Sequence, residues 1–303
     1  MIKKDVVIVG AGPSGITAAI YLRRAGIDFA IIEKSMPGGK VALTSKVENY
    51  PSFNSIDGVE LALKLQDQLS FNNIELTFDN IKEINRVQNE YEIIGDFDTY
   101  SCKYLIIASG TKERKLDLDK EDRFYGRGLS FCAICDGFLY KDKEVAVVGG
   151  GNSALEESLY LANICKKVHL IHRRNEFRGD EILSRKVKNT PNIEIHTPYV
   201  PSKILGDNIF EGLLIKNVDT SKEEELLVSS AFIYIGNTPN IEFIKFDLEI
   251  KDGYILVDED MKTSLDNVYA IGDVRSKKIR QIVTAVNDGA IAALAIEKEM
   301  KKA

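Results

Sequence analysis

The sequence predicts an α/β fold of two doubly wound units, and two observations carry that prediction. The chain has 303 residues, enough for about two domains that each bury their own core. A β-branched run, a glycine turn and a stretch of helical apolar spacing also occur in that order twice, about one domain length apart.

In the first occurrence residues 5–9 form the β-branched run, Gly10-Ala11-Gly12-Pro13-Ser14-Gly15 the turn, and residues 16–22 the helix-period stretch. In the second, residues 144–148 lead into Gly149-Gly150-Gly151-Asn152-Ser153-Ala154, and Leu155, Leu159 and Leu161 continue at helical spacing. The first glycine of such a turn permits the tight bend. The second lets the backbone approach a pyrophosphate, and the third position must be small for helix and strand to pack closely. The helix that follows offers unpaired N–H groups and a positive dipole end. The pattern assigns Gly10, Gly12 and Gly15 to one Rossmann-like nucleotide-binding unit, and Gly149, Gly151, Asn152 and Ser153 to another.

The next strand differs between the two. After the first turn, residues 29–32 end in Glu33, whose carboxylate suits the hydroxyls of an unphosphorylated ribose. After the second, residues 168–171 end in His172-Arg173-Arg174, with Arg178 one turn further and no carboxylate at the matching position. Guanidinium groups there suit a 2′-phosphate, which selects NADPH over NADH. The alternative reading of the same arginines is a solvated basic face. Two dinucleotide sites in one chain make chemical sense when the first holds FAD, since a flavin accepts a hydride from NADPH and passes electrons on.

Cys132-Ala133-Ile134-Cys135 is the electron acceptor the sequence offers, because two thiols separated by two residues can close a small disulfide ring. Asp136 follows directly and is placed either to protonate a leaving thiolate or to N-cap a short helix through Phe138 and Leu139. A structural zinc would need four ligands. Cys102, Cys165, His169, His172 and His196 supply no second paired spacing, so no metal is expected at the pair. Cys102 and Cys165 lie in apolar patterns and read as small core residues.

Composition closes off other classes. Forty basic against 46 acidic residues give a net charge of −6, with the positive charge scattered, so neither nucleic acid nor an anionic membrane is an expected partner. No apolar run approaches the ~18 residues of a membrane span. Lys3-Lys4 and residues 6–9 imitate a signal peptide, but Gly10, Gly12 and Pro13 interrupt the run, and a buried first strand explains it better.

The motifs together resemble the low-molecular-weight, bacterial-type thioredoxin reductases. In family order they are residues 10–15, Gly38-Gly39, Val47-Glu48-Asn49-Tyr50-Pro51, Cys132-Ala-Ile-Cys135-Asp136-Gly137, residues 149–157, residues 172–178, Gly236-Asn-Thr-Pro-Asn240, Ile271-Gly272-Asp273-Val274 and Arg280-Gln281. The resemblance implies two doubly wound domains, with the NADPH domain, residues 113–240, inserted into a discontinuous FAD domain of residues 1–112 and 241–303. It implies that Gly39, Lys40, Asn49, Asp273, Arg280 and Gln281 join the FAD site, Asp273 on the ribityl chain. It further implies electron flow from NADPH through FAD to the Cys132–Cys135 disulfide and on to thioredoxin or a thioredoxin-like protein. Cys132 is then the exchange thiol, Cys135 lies nearer the flavin, and Asp136 is the acid. A cytoplasmic homodimer, and rotation of one domain about the regions of Thr111 and Gly236, belong to the same implication. Lys40 stands where the family often has Gln, Ser52 where Gly is frequent, and Lys112-Glu113-Arg114 where Ala-x-Pro-Arg is common. A ferredoxin-driven reductase is the nearest alternative enzyme. A flavin-bearing redox sensor without turnover is the alternative from another class.

Overall fold

Val6, Val7, Ile8 and Val9, and again Val145, Ala146, Val147 and Val148, are buried on both sides of the chain, the environment of a central parallel strand. The computed structural model describes residues 1–44 and 46–302; Ser45 and Ala303 lie outside the described residues. Contacts divide the chain into two compact units, residues 1–112 with 238–303, and residues 113–237.

In the first unit the strand Ile2–Val9 pairs in parallel with Phe29–Glu33 on one side and Thr99–Ile107 on the other, and Leu76–Phe78 extends the sheet beyond Phe29–Glu33. Thr99–Ile107 uses its far edge twice. Residues 105–107 pair in parallel with Val268–Ala270, while residues 99–102 pair antiparallel with Glu90–Ile94, which forms a hairpin with Glu83–Val87. The helix Pro13–Arg24 begins with proline at its first turn, where a missing N–H costs nothing. It packs Ala18, Ala19 and Leu22 against Ala292, Ala293 and Ile296 of the C-terminal helix Ile282–Met300. That crossing is tight: a Cβ on Gly289 would lie 2.2 Å from the Ser14 carbonyl oxygen.

The second unit has a parallel sheet in the order Leu129–Ser130, Ser230–Tyr234, Glu144–Gly149, Lys167–Ile171, Ile193–His196. Period-two alternation sends Val145, Val147, Val168, Leu170 and Phe232 toward the helices Asn152–Ala162 and Glu181–Lys188. It sends Ala146, Val148, Ile171, Ala231 and Ile233 toward an antiparallel sheet of Tyr199–Leu205, Gly212–Asn217 and Glu223–Leu227. Cys102 and Cys165 are free and buried, the latter in the turn after the Asn152–Ala162 helix. Burial pushes their thiols up, to about 12 and about 11, which makes them inert core residues. Among the described residues no helix is long and apolar enough to cross a membrane.

Candidate active site

The first glycine turn is shaped by sterics. Gly10 has φ +110°, and a Cβ there would meet the Ala108 carbonyl oxygen at 2.4 Å; a Cβ on Gly15 would meet the Gly10 oxygen at 1.9 Å. Gly12 has nothing within 4 Å of an added Cβ, so its backbone faces open space at the N-cap of the Pro13–Arg24 helix, which has no side-chain cap. Those free N–H groups and that space fit a pyrophosphate. Glu33 ends its strand with Oε2 accepting from the Ala11 amide at 2.7 Å and Oε1 from the Ser35 amide at 3.1 Å, so its carboxylate orients the turn itself. Gly39, at φ +55°, backs onto Gly12, the Gly12 α-carbon being 3.5 Å from where its Cβ would be.

Residues distant in sequence gather in the same unit. Asn49 donates to the Gln281 side-chain oxygen at 3.1 Å, and Gln281 N-caps the Ile282–Met300 helix through a capping box with Thr284. Asp273 is half-buried; burial pushes its carboxyl up, while Lys277, Arg280 and Lys40 pull it back. The Arg280 guanidinium stacks 3.9 Å over the Tyr254 ring, and its buried Nε has no hydrogen-bond partner. An orphaned guanidinium N–H and the open Gly12 backbone together fit a dinucleotide with phosphate acceptors. Asp288, fully buried, fixes this corner by accepting from the Gly272 amide at 3.0 Å, from Arg275 at 2.7 and 2.8 Å, and from Lys277 at 2.9 Å. Burial alone would push Asp288 up, but the Arg275 and Lys277 hydrogen bonds outweigh it and hold the carboxyl below its usual range.

The second turn repeats the frame. A Cβ on Gly149 would meet the Tyr234 carbonyl oxygen at 2.4 Å, whereas Gly151, N-cap of Asn152–Ala162 without a side-chain cap, has open space. Asn152 and Asp180 clasp each other, with Asn152 Nδ2 donating at 2.9 Å and Oδ1 accepting from the Asp180 amide at 2.7 Å. Ser153 is exposed in the first helical turn. Arg173, Arg174 and Arg178 are exposed, and the Arg178 amide donates to the Gly150 carbonyl at 2.7 Å, which ties the basic loop to the turn. His172 points inward. Its ring lies under Gly150, where a Cβ would be 2.3 Å from Nδ1, and its Nε2 bonds the Glu176 carbonyl at 3.1 Å. Burial and then the three arginines lower its pKa, against the Glu176 contact, so His172 is a neutral support for the loop.

Cys132 and Cys135 are joined as a disulfide, with Cys132 at the N-cap of the short helix Ala133–Asp136. The Cys135 amide donates to Cys132 Sγ at 3.2 Å, a contact that favours a thiolate once the bond opens. Asp136 precedes the 3₁₀ helix Gly137–Tyr140, but its side chain does not cap it; the carboxylate accepts from Ser130 Oγ at 2.6 Å instead. The same Ser130 oxygen accepts from the Cys132 amide at 3.0 Å, so one hydroxyl links the acid to the dithiol backbone. On the other side the Tyr234 hydroxyl accepts from the Ala133 amide at 2.9 Å, and burial, then Glu157, keeps that phenol protonated. Phe138 and Leu139, beside the pair, are 70% and 69% exposed. Sequence reasoning missed Ser130, Tyr234 and Asp288, each joined to its partners by strand or helix placement; of the three, only the Asp288 side chain is fully buried.

A family model described as pyridine nucleotide-disulphide oxidoreductase matches residues 4–289. The chain is 46% identical over 298 residues to a thioredoxin reductase of Mycoplasma pneumoniae, covering 96% of this chain and 94% of that protein. Among solved structures it is similar to Lactococcus lactis thioredoxin reductase, with a TM-score of 0.94 at 38% identity over 99% of this chain and 100% of that one. It is also similar to T. acidophilum thioredoxin reductase, with a TM-score of 0.93 at 34% identity, again over 99% and 100%.

Proposed function

The chain belongs to the pyridine nucleotide-disulphide oxidoreductase family, and from that premise we propose that it is an NADPH-dependent thioredoxin-disulfide reductase. The observation that carries the reading is the Cys132–Cys135 disulfide in the same unit as the arginine-flanked second glycine turn. In this reading residues 1–112 and 241–303 hold FAD, and residues 113–240 hold NADPH and the redox pair. Gly10, Gly12, Gly15, Glu33, Gly39, Lys40, Asn49, Asp273, Arg280 and Gln281 would hold FAD. Gly149, Gly151, Asn152, Ser153, Arg173, Arg174 and Arg178 would hold NADPH, with His172 supporting them. Bound together, the two cofactors supply a two-electron path from the nicotinamide to the disulfide.

The chain's own residues then run the exchange. Opening of the disulfide leaves a Cys132 thiolate that the Cys135 amide can stabilise. That thiolate attacks one sulfur of the partner's disulfide, forming a mixed disulfide and releasing one partner thiolate, which takes a proton from Asp136. Cys135 then attacks Cys132 Sγ, re-forms the internal disulfide and releases the second partner thiolate, so two electrons have passed to the partner. Exposed Phe138 and Leu139 give a small protein an apolar edge beside the pair. The reading includes a two-fold homodimer, checked by light scattering, and a cytoplasmic setting in which Cys102 and Cys165 stay reduced.

The test is NADPH oxidation by the purified yellow protein with thioredoxin and a disulfide dye, beside NADH and beside Cys135→Ser. Turnover with NADPH, weak turnover with NADH and loss in the variant support the reading. Flavin that stays oxidised in NADPH yet is reduced by ferredoxin replaces the donor; a single reduction without sustained NADPH consumption replaces the enzyme with a sensor.

A further inference from the structure

The electron path uses none of the polar groups on the opposite face of the second unit's parallel sheet. The chain has three histidines, and two of them meet there. The parallel register pairs His169 with Glu194, two residues before His196, so alternation puts all three side chains on the face covered by the three-stranded sheet. Only 7% of the His169 side chain and 11% of the His196 side chain are exposed. His169 Nδ1 and His196 Nε2 are 3.1 Å apart. The Glu194 carboxylate stands beside both, with Oε2 3.9 Å from His169 Nδ1 and Oε1 3.6 Å from His196 Nε2. The outer ring nitrogens face carboxylates too: His169 Nε2 is 3.4 Å from Glu144 Oε2, and His196 Nδ1 is 3.7 Å from Glu224 Oε1.

We propose that His169 Nδ1, His196 Nε2 and a Glu194 oxygen form a binding site for one divalent transition-metal ion, zinc by its donor set. A tetrahedral ion with bonds of about 2.0–2.1 Å holds its ligand atoms ~3.3 Å apart. The two imidazole nitrogens, 3.1 Å apart, are close to that spacing, and one ligand atom from each of the three residues lies within 4.8 Å of the others, so a rotation of the Glu194 carboxylate brings a single oxygen to both nitrogens. Two imidazoles and one carboxylate suit zinc and its neighbours, whereas magnesium and calcium call for oxygen ligands. Glu144 and Glu224 occupy the places from which carboxylates orient metal-bound imidazoles and raise their basicity. Lys167 pairs with Glu194 and neutralises it without an ion; at 38% exposure its ammonium can turn to water when the ion takes the carboxylate. Water fills the fourth position. The ion ties Lys167–Ile171 to Ile193–His196 and, through Glu224, to the covering sheet, so it stabilises the second unit without touching the dithiol.

The experiment uses untagged, flavin-loaded protein, fully oxidised and freed of metal with a chelator, then titrated with zinc by calorimetry and with cobalt by visible absorbance. The expected result is one equivalent per chain, in wild type and in Cys132→Ser/Cys135→Ser alike, with tetrahedral cobalt bands and a zinc-dependent rise in Tm. His196→Ala is expected to abolish binding, and Glu144→Gln to weaken it by about 10- to 100-fold. Glu194→Gln, which keeps the side-chain shape, serves as second ligand variant if His196→Ala does not fold. No binding by the oxidised wild type at millimolar zinc overturns the proposal. So does binding that survives loss of His196 or Glu194, or that disappears with the cysteine pair.

Discussion

At both glycine turns the first glycine is closed against a backbone oxygen at 2.4 Å, while the glycine at the helix N-cap opens onto space. Around that shared frame the charges are reversed. The first turn is held by the Glu33 carboxylate on the Ala11 amide, the second by the neutral His172 ring under Gly150 with exposed arginines at its strand end. The contrast extends to one buried acid taken from each unit. Asp288 is paired with Arg275 and Lys277 and held low, whereas Glu157 has an Oε2 without a partner and is pushed up to about 7 by burial, with Glu156 adding. In the proposed reading, backbone sterics make a place for a pyrophosphate, and the strand end selects which nucleotide brings it.

The largest expected effect breaks the frame itself. Gly15→Ala pushes a methyl to within 1.9 Å of a carbonyl that cannot retreat, and should cost more than ~4 kcal/mol, yielding insoluble or flavin-free protein. Gly151→Ala, at φ −95° with open space, should stay within about 0.5 kcal/mol of wild type while raising the KM for NADPH. Equal destabilisation of the two variants in chemical denaturation would mean that the open glycine serves folding and not the ligand.

Next come the buried acids, whose pH dependences have opposite sign. Asp288→Asn strands two partly buried cations and should cost about 3 kcal/mol. Because the folded-state pKa of Asp288 is depressed, its stabilisation is present above the ordinary carboxylate range and is lost as the pH falls through the folded value. Glu157 is raised from 4.5 to about 7, so stability is full below 4.5 and declines as the pH climbs toward 7. Glu157→Gln should therefore stabilise the protein by up to ~3 kcal/mol at pH 8 and change little at pH 4. Denaturant midpoints across that range check both signs, and a flat Glu157→Gln profile would show that the acid has a partner in solution.

Reversing the strand-end charge sharpens the electrostatic half of the comparison. Arg173→Glu with Arg174→Glu removes charge-assisted contacts of about 2–3 kcal/mol, a fall of ~30- to 160-fold in kcat/KM for NADPH, with NADH unharmed or improved. No loss for either nucleotide would restore the solvated-face reading of the arginines, and a parallel loss for both would place them on a part the two nucleotides share.

What could be read from the sequence follows the range of each interaction. The glycine frame and the cysteine pair are local, since the residues that clash or bond lie within a few positions or on a neighbouring parallel strand. The antiparallel hairpin on the edge of Thr99–Ile107 left no such mark. Asn49 and Gln281, 232 residues apart, were reached through family resemblance and not through spacing. The meeting of His169 with His196 depends on strand register, which no periodicity displays. The sequence leaves Asp136 as acid or cap, since it directly follows the dithiol and precedes a short helical stretch. Ser130, six residues earlier on a strand edge, decides against capping by taking the carboxylate.

The smallest expected effect tests that decision. Ser130 Oγ joins Asp136 to the Cys132 amide, so Ser130→Ala frees the carboxylate and leaves one amide unpaired, a change of about 1 kcal/mol or ~5-fold in thiol–disulfide exchange. If the hydroxyl acts only by holding Asp136, then Ser130→Ala adds nothing to Asp136→Asn, and the double variant matches the single one. Reduction of the flavin by NADPH, measured by its absorbance in stopped flow, should be unchanged in Ser130→Ala, because that step draws on the glycine turns and not on the dithiol edge. Additive losses would instead give Ser130 its own part in the exchange. Slowed flavin reduction would mean that the second turn and the dithiol, both packed on the Asn152–Ala162 helix, are mechanically coupled.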